Sequence, residues 1–233
     1  MKLFYHPSIV QGNYVLSEEE SKHATRVLRM KEDDNFQIID GEGGLYECKV
    51  ALAHQKRMQF VIIDAKKNFN KLPYKLHIAI APTKNIDRFE WFLEKATEIG
   101  ITEITPIICD QSERKVIKHD RSERVIISAM KQSYKAFKPV LNPQVSLLEF
   151  LSLAKADNKI IAHCEEQNQK HIQEVYSKRQ DVLILIGPEG DFSSKEIEKA
   201  LENGFNPATF GQSRLRTETA GVFSASVINL LNS

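Results

Sequence analysis

Apolar positions along this chain follow one pattern up to about residue 65 and another beyond residue 73. In the first stretch Ala24, Val27 and Leu28 fall on one helical face behind the capping box Ser17-x-x-Glu20, and the charged run Lys31-Glu32-Asp33-Asp34 ends that face. Residues 36–39, 45–52 and 58–63 then read as strands, the first two joined by the turn Asp40-Gly41-Glu42-Gly43-Gly44. Polar residues 66–70, with Pro73 just beyond, form the linker candidate. Past it, continuous aliphatic runs at 76–81, 104–109, 159–164 and 182–186 alternate with helical patterns at 87–99, 122–137 and 193–203. A last helix carries Val222, Phe223, Val227, Ile228 and Leu231 on one face. Continuous rather than alternating apolar runs mean strands covered on both sides, as in a parallel sheet flanked by helices. The pattern therefore predicts a small β-rich domain over residues 1–70 and an α/β domain over 71–233.

Composition narrows the class. With 233 residues, 42% hydrophobic, and 32 basic against 31 acidic side chains, the chain is neither fibrous nor disordered. The run at 182–186 is far short of the roughly 20 apolar residues that span a bilayer. Residues 1–10 lack the apolar centre of a signal peptide, so a cytoplasmic protein without a membrane partner is expected. Cys48, Cys109 and Cys164 form no Cys-x-x-Cys pair and read as reduced core residues. The histidines show no ligand spacing with Cys, Asp or Glu, so no metal is expected. The balanced net charge hides a local excess. Residues 111–140 hold 8 basic and 3 acidic groups, with Tyr134 and Phe137 among them, a mixture that suits phosphates and unstacked bases but also an ordinary solvated helix face.

Ligands of open parallel sheets bind beyond the carboxyl ends of the strands, which singles out two loops. Gly187-Pro188-Glu189-Gly190-Asp191-Phe192 follows the most apolar strand and precedes the capping box Ser193-x-x-Glu196. Its glycines remove side chains where a ligand would lie on backbone, although a tight turn without ligand uses the same residues. The second, Gly211-x-x-Arg214-Leu215-Arg216-Thr217-Glu218-Thr219-Ala220, brings two arginines to a helix N-terminus, whose free N–H groups and partial positive charge suit an anion. Capping by Thr217 beside an Arg–Glu surface pair accounts for part of this segment but not for both arginines. Neither loop matches Gly-x-Gly-x-x-Gly or Gly-Lys-Ser/Thr, which argues against hydride transfer and nucleotide hydrolysis.

The stretch Leu183-Ile184-Leu185-Ile186-Gly187-Pro188-Glu189-Gly190, with Leu215-Arg216-Thr217-Glu218-Thr219-Ala220 further on, resembles the RsmE family of ribosomal RNA uridine N3-methyltransferases, members of the SPOUT or trefoil-knot class. His23-x-x-Arg26-Val27-Leu28-Arg29, Lys84 with Arg88, and Lys95-Ala96-Thr97-Glu98-Ile99-Gly100 extend the resemblance over nearly the whole chain. It implies a PUA-like β-barrel for RNA docking, then a knotted α/β domain, acting as a homodimer on 16S ribosomal RNA of the small subunit. The implied target is N3 of a uridine, numbered 1498 in that RNA. The implied cofactor is S-adenosylmethionine, held by Leu185, Ile186, Gly187, Pro188 and Gly190 on one loop and by Leu215, Arg216, Thr219 and Ala220 on the other. RNA contact is implied for Arg26, Arg29, Lys84, Arg88, Arg114 and Lys115, the last two within Ser112-Glu113-Arg114-Lys115.

Methylating N3 of uracil requires loss of the imide proton, and the resulting anion calls for a fixed cation. Arg216 is the expected stabiliser. Glu218 or Glu98 is expected to accept the proton or to orient Arg216, though Lys95 and Glu98 have the spacing of a plain helix salt bridge. Two departures from the family pattern stand out: Asp191 where a second glycine is usual, and Lys131-Gln132-Ser133 where a Glu-Gln-Ser/Cys motif is usual. The second voids any general-base role at position 131. Two other readings remain open at this stage, an RNA-binding module whose cofactor pocket Asp191 has spoiled, and a small-molecule α/β enzyme.

Overall fold

The computed structural model describes residues 2–163 and 170–233, in two compact units: residues 1–71 with 130–138, and residues 72–129 with 139–233. Cys164, expected in the core, lies outside the described residues; Cys48 and Cys109 are buried and free.

In the first unit β1 (Leu3–Tyr5), β2 (Asn35–Ile39), β3 (Leu45–Leu52) and β4 (Gln59–Lys66) form one sheet in that order, β1 parallel to β2 and the rest antiparallel. Ser17 caps α1 (Glu18–Lys22) by accepting from Glu20 N–H, as the capping box predicts. A turn of π-helix, His23–Val27, then drops Ala24 into a core with Phe4, Phe36, Ile38 and Phe60. The Asp40 carboxylate holds the β2–β3 turn, accepting from Glu42 N–H, Gly44 N–H and the Tyr46 hydroxyl. Burial, helped by that bond, pushes the Tyr46 phenol up to about 12.

The predicted helix at 122–137 is shorter and earlier: α3 runs His119–Gln132. Tyr134 adopts φ +58, which breaks the helical path well before Pro139. Residues 130–138 then belong to the first unit, where Met130 and Ala136 pack on Ile39 and Leu45. Phe137 lies directly on Gly43, in the space a Cβ there would fill.

The second unit holds a seven-stranded sheet, every pairing parallel. The strands are β5 (Leu76–Ile80), β6 (Glu103–Ile108), β7 (Val140–Leu141), β8 (Val145–Ser146), β9 (Asn158–Ala162), β10 (Val182–Ile186) and β11 (Asn206–Ala208). The order is β11-β9-β10-β5-β6-β7, and β8 pairs with β6. Alternate residues of each strand face opposite sides. Ile78, Ile80, Ile184 and Ile186 join one core with Phe89 and Phe92 of α2 (Ile86–Ile99) and Ile228 of α7 (Thr217–Asn232). Ala79, Leu183, Leu185 and Ile161 join the other, with Leu151 of α4 (Leu147–Leu153) and Ile197 of α6 (Ser194–Glu202). The short α5 (Ile172–Val175) contributes Ile172 to the first core. Both faces are covered, which is why β10 reads as five consecutive buried aliphatics. Truncating one of them, Ile184→Ala, is expected to cost about 2–5 kcal/mol. Helices α2 and α7 meet closely at Gly221, where a Cβ would stand 2.6 Å from the Phe92 ring. Among the described residues no helix is long and apolar enough to cross a membrane.

Candidate active site at the strand ends

Parallel strands bring their carboxyl ends to one edge of the sheet. The loops after β5, β6 and β10 there are laced together by hydrogen bonds. Glu189 accepts from Lys84 N–H at 2.9 Å, joining the β10 loop to the β5 loop. Arg114, beyond β6, donates to the carbonyls of Thr83 and Lys84 at 3.0 and 2.6 Å. Buried Glu196 caps α6 by accepting from Ser193 N–H and also accepts from Asp110 N–H, both at 2.8 Å, which joins the β6 and β10 loops. At Gly190 a Cβ would stand 2.6 Å from the Gln111 side-chain oxygen, so the Gln111 side chain packs against this glycine. Asp191, in the place where glycine is usual, has φ +67. Aspartate is among the few side chains that tolerate this region, and its carboxylate accepts from Phe192 N–H at 2.8 Å while its own N–H reaches the Pro188 carbonyl at 2.9 Å. The loop thus keeps the turn that a glycine would make.

The second predicted segment, Gly211 to Ala220, joins the first loop through a buried contact: the Thr217 hydroxyl donates to the Gly187 carbonyl at 3.0 Å. Thr217 therefore faces the neighbouring loop, and the N-cap of α7 is Arg216, whose side chain makes no capping bond. Between the two loops lies a cavity of about 810 Å³. Of the residues expected to hold a cofactor, Ile186, Gly187, Pro188, Gly190, Leu215, Arg216 and Ala220 line it. Leu185 instead points into the core beside α4 and α6, and Thr219 lines an adjoining recess. Gln111, Ala162, His163 and Phe210 are also in the wall and were not singled out as site residues from the sequence. The signal for the first three was present: each sits at or just past the end of an apolar strand.

Arg216 borders both the cavity and the adjoining recess, where it meets Arg88, Trp91 and Glu218. Glu218 is buried, 6% exposed, with one oxygen 3.9 Å from Arg88 Nε. Its other oxygen has no hydrogen-bond partner. Glu98 is instead bound to Lys95 at 3.0 Å, the salt bridge its spacing suggested. Burial pushes the Cys109 thiol far above its ordinary range, which removes it as a nucleophile.

The remaining cations divide. Lys84 pairs with Glu113 at 2.7 Å, which raises its pKa. Arg121 pairs with Glu90, and Lys131 pairs with Glu20 at 2.6 Å within the first unit. Part of the basic stretch is thus spent on internal pairs, whereas Lys115 is exposed. In the first unit Arg26 donates to the Gln55 side chain at 2.6 Å and Arg29 sits at φ +53. Among the described residues no group of three or more His, Cys, Asp or Glu is arranged to hold a metal.

Known proteins share this architecture. Residues 70–229 match the family model described as RNA methyltransferase domain, and residues 16–63 match RNA methyltransferase PUA domain. Ribosomal RNA small subunit methyltransferase E of Mesomycoplasma hyopneumoniae is 32% identical over 219 residues, covering 91% of this chain and 92% of its own. A crystal structure described as a probable rRNA-methyltransferase from Porphyromonas gingivalis superimposes with a TM-score of 0.94 at 40% identity, over 100% of this chain and 98% of that one. The Neisseria gonorrhoeae ribosomal RNA small subunit methyltransferase E, solved bound to S-adenosyl methionine, superimposes with a TM-score of 0.87 at 25% identity, over 100% and 98% of the two chains. A PUA domain followed by an all-parallel methyltransferase domain, matched along nearly its full length, places this chain in the RsmE family of ribosomal RNA small subunit methyltransferases.

Proposed function

We propose that this protein transfers a methyl group from S-adenosylmethionine to N3 of a uridine in 16S ribosomal RNA of the small subunit, acting as a homodimer. The observation that carries the reading is the cavity between two loops pinned by the Thr217–Gly187 bond, with a guanidinium at its rim. Its size lies within the roughly 300–1,000 Å³ of small-molecule sites, and Gly190 and Gln111 meet in its wall. Ile186, Gly187, Pro188 and Gly190 on one loop and Leu215, Arg216 and Ala220 on the other would hold the cofactor, whose sulfonium supplies the methyl. Thr219 and Leu185 would support it from behind. The protein's own work is to hold the base and stabilise its anion. Arg216 stands at the positive end of α7, so guanidinium and helix act together on charge spread over N3 and the two flanking carbonyls. Glu218 is the proposed proton acceptor, because its buried carboxylate keeps an unused oxygen.

Arg114 acts here by holding the Thr83–Lys84 backbone, and Arg26, Arg29, Lys84, Arg88 and Lys115 supply RNA contacts. Asp191 is compatible with a working pocket, since its backbone keeps the left-handed turn. Two measurements test the reading. S-adenosylhomocysteine should give binding heat in calorimetry, and small-subunit RNA from a deletion strain should lack a methyl group at one uridine, restored by the wild-type chain. A fully methylated RNA in that strain would refute the assignment.

A further inference from the structure

Beside the large cavity lies a second recess of about 510 Å³, walled by Asp87, Arg88, Trp91, Arg216, Glu218 and Thr219. Three features of it are unexplained by folding. Trp91 stands 42% exposed on α2, although a large apolar ring ordinarily buries more. Glu218, 6% exposed, has an oxygen with no hydrogen-bond partner, and buried carboxylates normally spend all of their acceptors. Its ion pair with Arg88 is 3.9 Å long. The recess is therefore short of a donor, and it offers a flat face.

The chemistry of the groups in its wall narrows the ligand. Arg88 and Arg216 are obligate donors and Glu218 is an acceptor. Two donors and one acceptor can complement an edge that offers two acceptors and one donor. Uracil has that edge in O2, N3–H and O4. Cytosine and adenine each present an unprotonated ring nitrogen where N3–H would be, and its lone pair would oppose the carboxylate. Guanine offers an N–H there but flanks it with an amino group, a donor facing a guanidinium. A phosphate is disfavoured by Glu218. Trp91 supplies the stacking face on which an unpaired base settles. We propose that this recess is the seat of the acceptor base, a uracil ring extruded from RNA onto Trp91 and read along its imide edge by Arg88, Glu218 and Arg216. The proposal rests on the uridine N3 reading and gives it a place: because Arg216 walls both cavities, the base seat adjoins the proposed methyl-donor site.

The chain contains one tryptophan, so its fluorescence reports on this recess alone. The full-length protein, saturated with S-adenosylhomocysteine, is titrated with decauridylate, decacytidylate, a decamer of N3-methyluridine and uridine monophosphate, with binding followed separately by anisotropy of labelled oligomers. Decauridylate should quench Trp91 at a concentration at least tenfold lower than either other decamer, and Glu218→Gln should erase that preference while S-adenosylhomocysteine affinity stays within a few-fold. Equal half-saturation for the three decamers, or decauridylate bound without quenching, would overturn the proposal. Quenching by uridine monophosphate as strong as by the decamer would overturn the RNA part of it, leaving a free-nucleotide site. The wild-type comparison needs no variant to fold. Failure of S-adenosylhomocysteine to bind would strike the proposed methyl transfer itself, whereas its binding without uracil preference would strike this inference alone.

Discussion

The loop of residues 187–193 and the segment 209–216 face the same cavity, yet they are built in opposite ways. The first is bound on every side: Glu189 to the β5 loop, Glu196 to the β6 loop, Asp191 to its own turn, and Gly187 to Thr217. In the second, Thr209 is tied through its backbone to Lys170 and Ile172 and through its hydroxyl to Gly211, but residues 211–214 and Arg216 beyond it are exposed. A Cβ at Gly211 would meet nothing within 4 Å. One wall is set before any ligand arrives, and the other has room to adapt. Preorganisation lowers the ordering cost of binding, whereas Arg216, the proposed anion stabiliser, sits on the adaptable side. Substitutions on the two walls should therefore fail differently.

The largest contrast is expected at Arg216. Arg216→Ala should lower turnover by about 10²–10³, the effect of removing one preorganised charge-stabilising donor, while S-adenosylhomocysteine affinity changes only a few-fold. An active Arg216→Ala enzyme would remove the arginine from the mechanism. On the fixed wall Glu196→Ala should do the reverse. It leaves the part-buried N–H groups of Asp110 and Ser193 without their charged acceptor and should cost about 1–3 kcal/mol of stability, lowering cofactor affinity more than turnover at saturation. Denaturant midpoints and calorimetry measure the two effects. Asp191 tests the fixed wall more gently. Asp191→Val, a β-branched residue at φ +67, should destabilise by about 1–2 kcal/mol, and Asp191→Gly should stay close to wild type in stability and activity.

His77 serves as a control away from both walls. It lies in β5, its Nε2 2.7 Å from the Thr105 hydroxyl. Burial lowers its pKa below the ordinary 6.5, against a smaller opposing pull from Glu103. The unfolded chain therefore takes up this proton first, so the stability from neutral His77 is full above about pH 6.5 and is lost as pH falls below it. Per pH unit the loss is at most about 1.4 kcal/mol for one group. The drop in denaturant midpoint between pH 7.5 and 5.5 should be smaller in His77→Gln, and an equal drop would discount the group.

Much of this architecture was readable from local rules. The run at 182–186, the capping boxes at Ser17 and Ser193, and the stop at Gly100 each depend on neighbouring residues alone, and their elements appear within a residue or two of expectation. Tyr134 was not readable, because aromatic side chains seldom adopt positive φ. The short β1, β7, β8, α4 and α5 were missed because two to seven residues carry too little periodicity. In the site, glycines and arginines announced the two loops, whereas Gln111 and His163 follow the ends of apolar strands, and it took the strand order, with β9 next to β10 and β6 beyond β5, to show that those ends reach the same cavity. The placement of Thr219 and Leu185 away from the cavity reflects side-chain direction, which spacing within a motif does not record.

Residues 130–138 carry a consequence for the timing of synthesis. The first unit cannot complete its packing until Phe137 covers Gly43 and Met130 reaches Ile39 and Leu45. A nascent chain that has released only its first seventy residues therefore holds an unfinished core, and most of another hundred must emerge before that core closes. Cutting the gene at the polar stretch 66–70 would separate a fold from its own last piece.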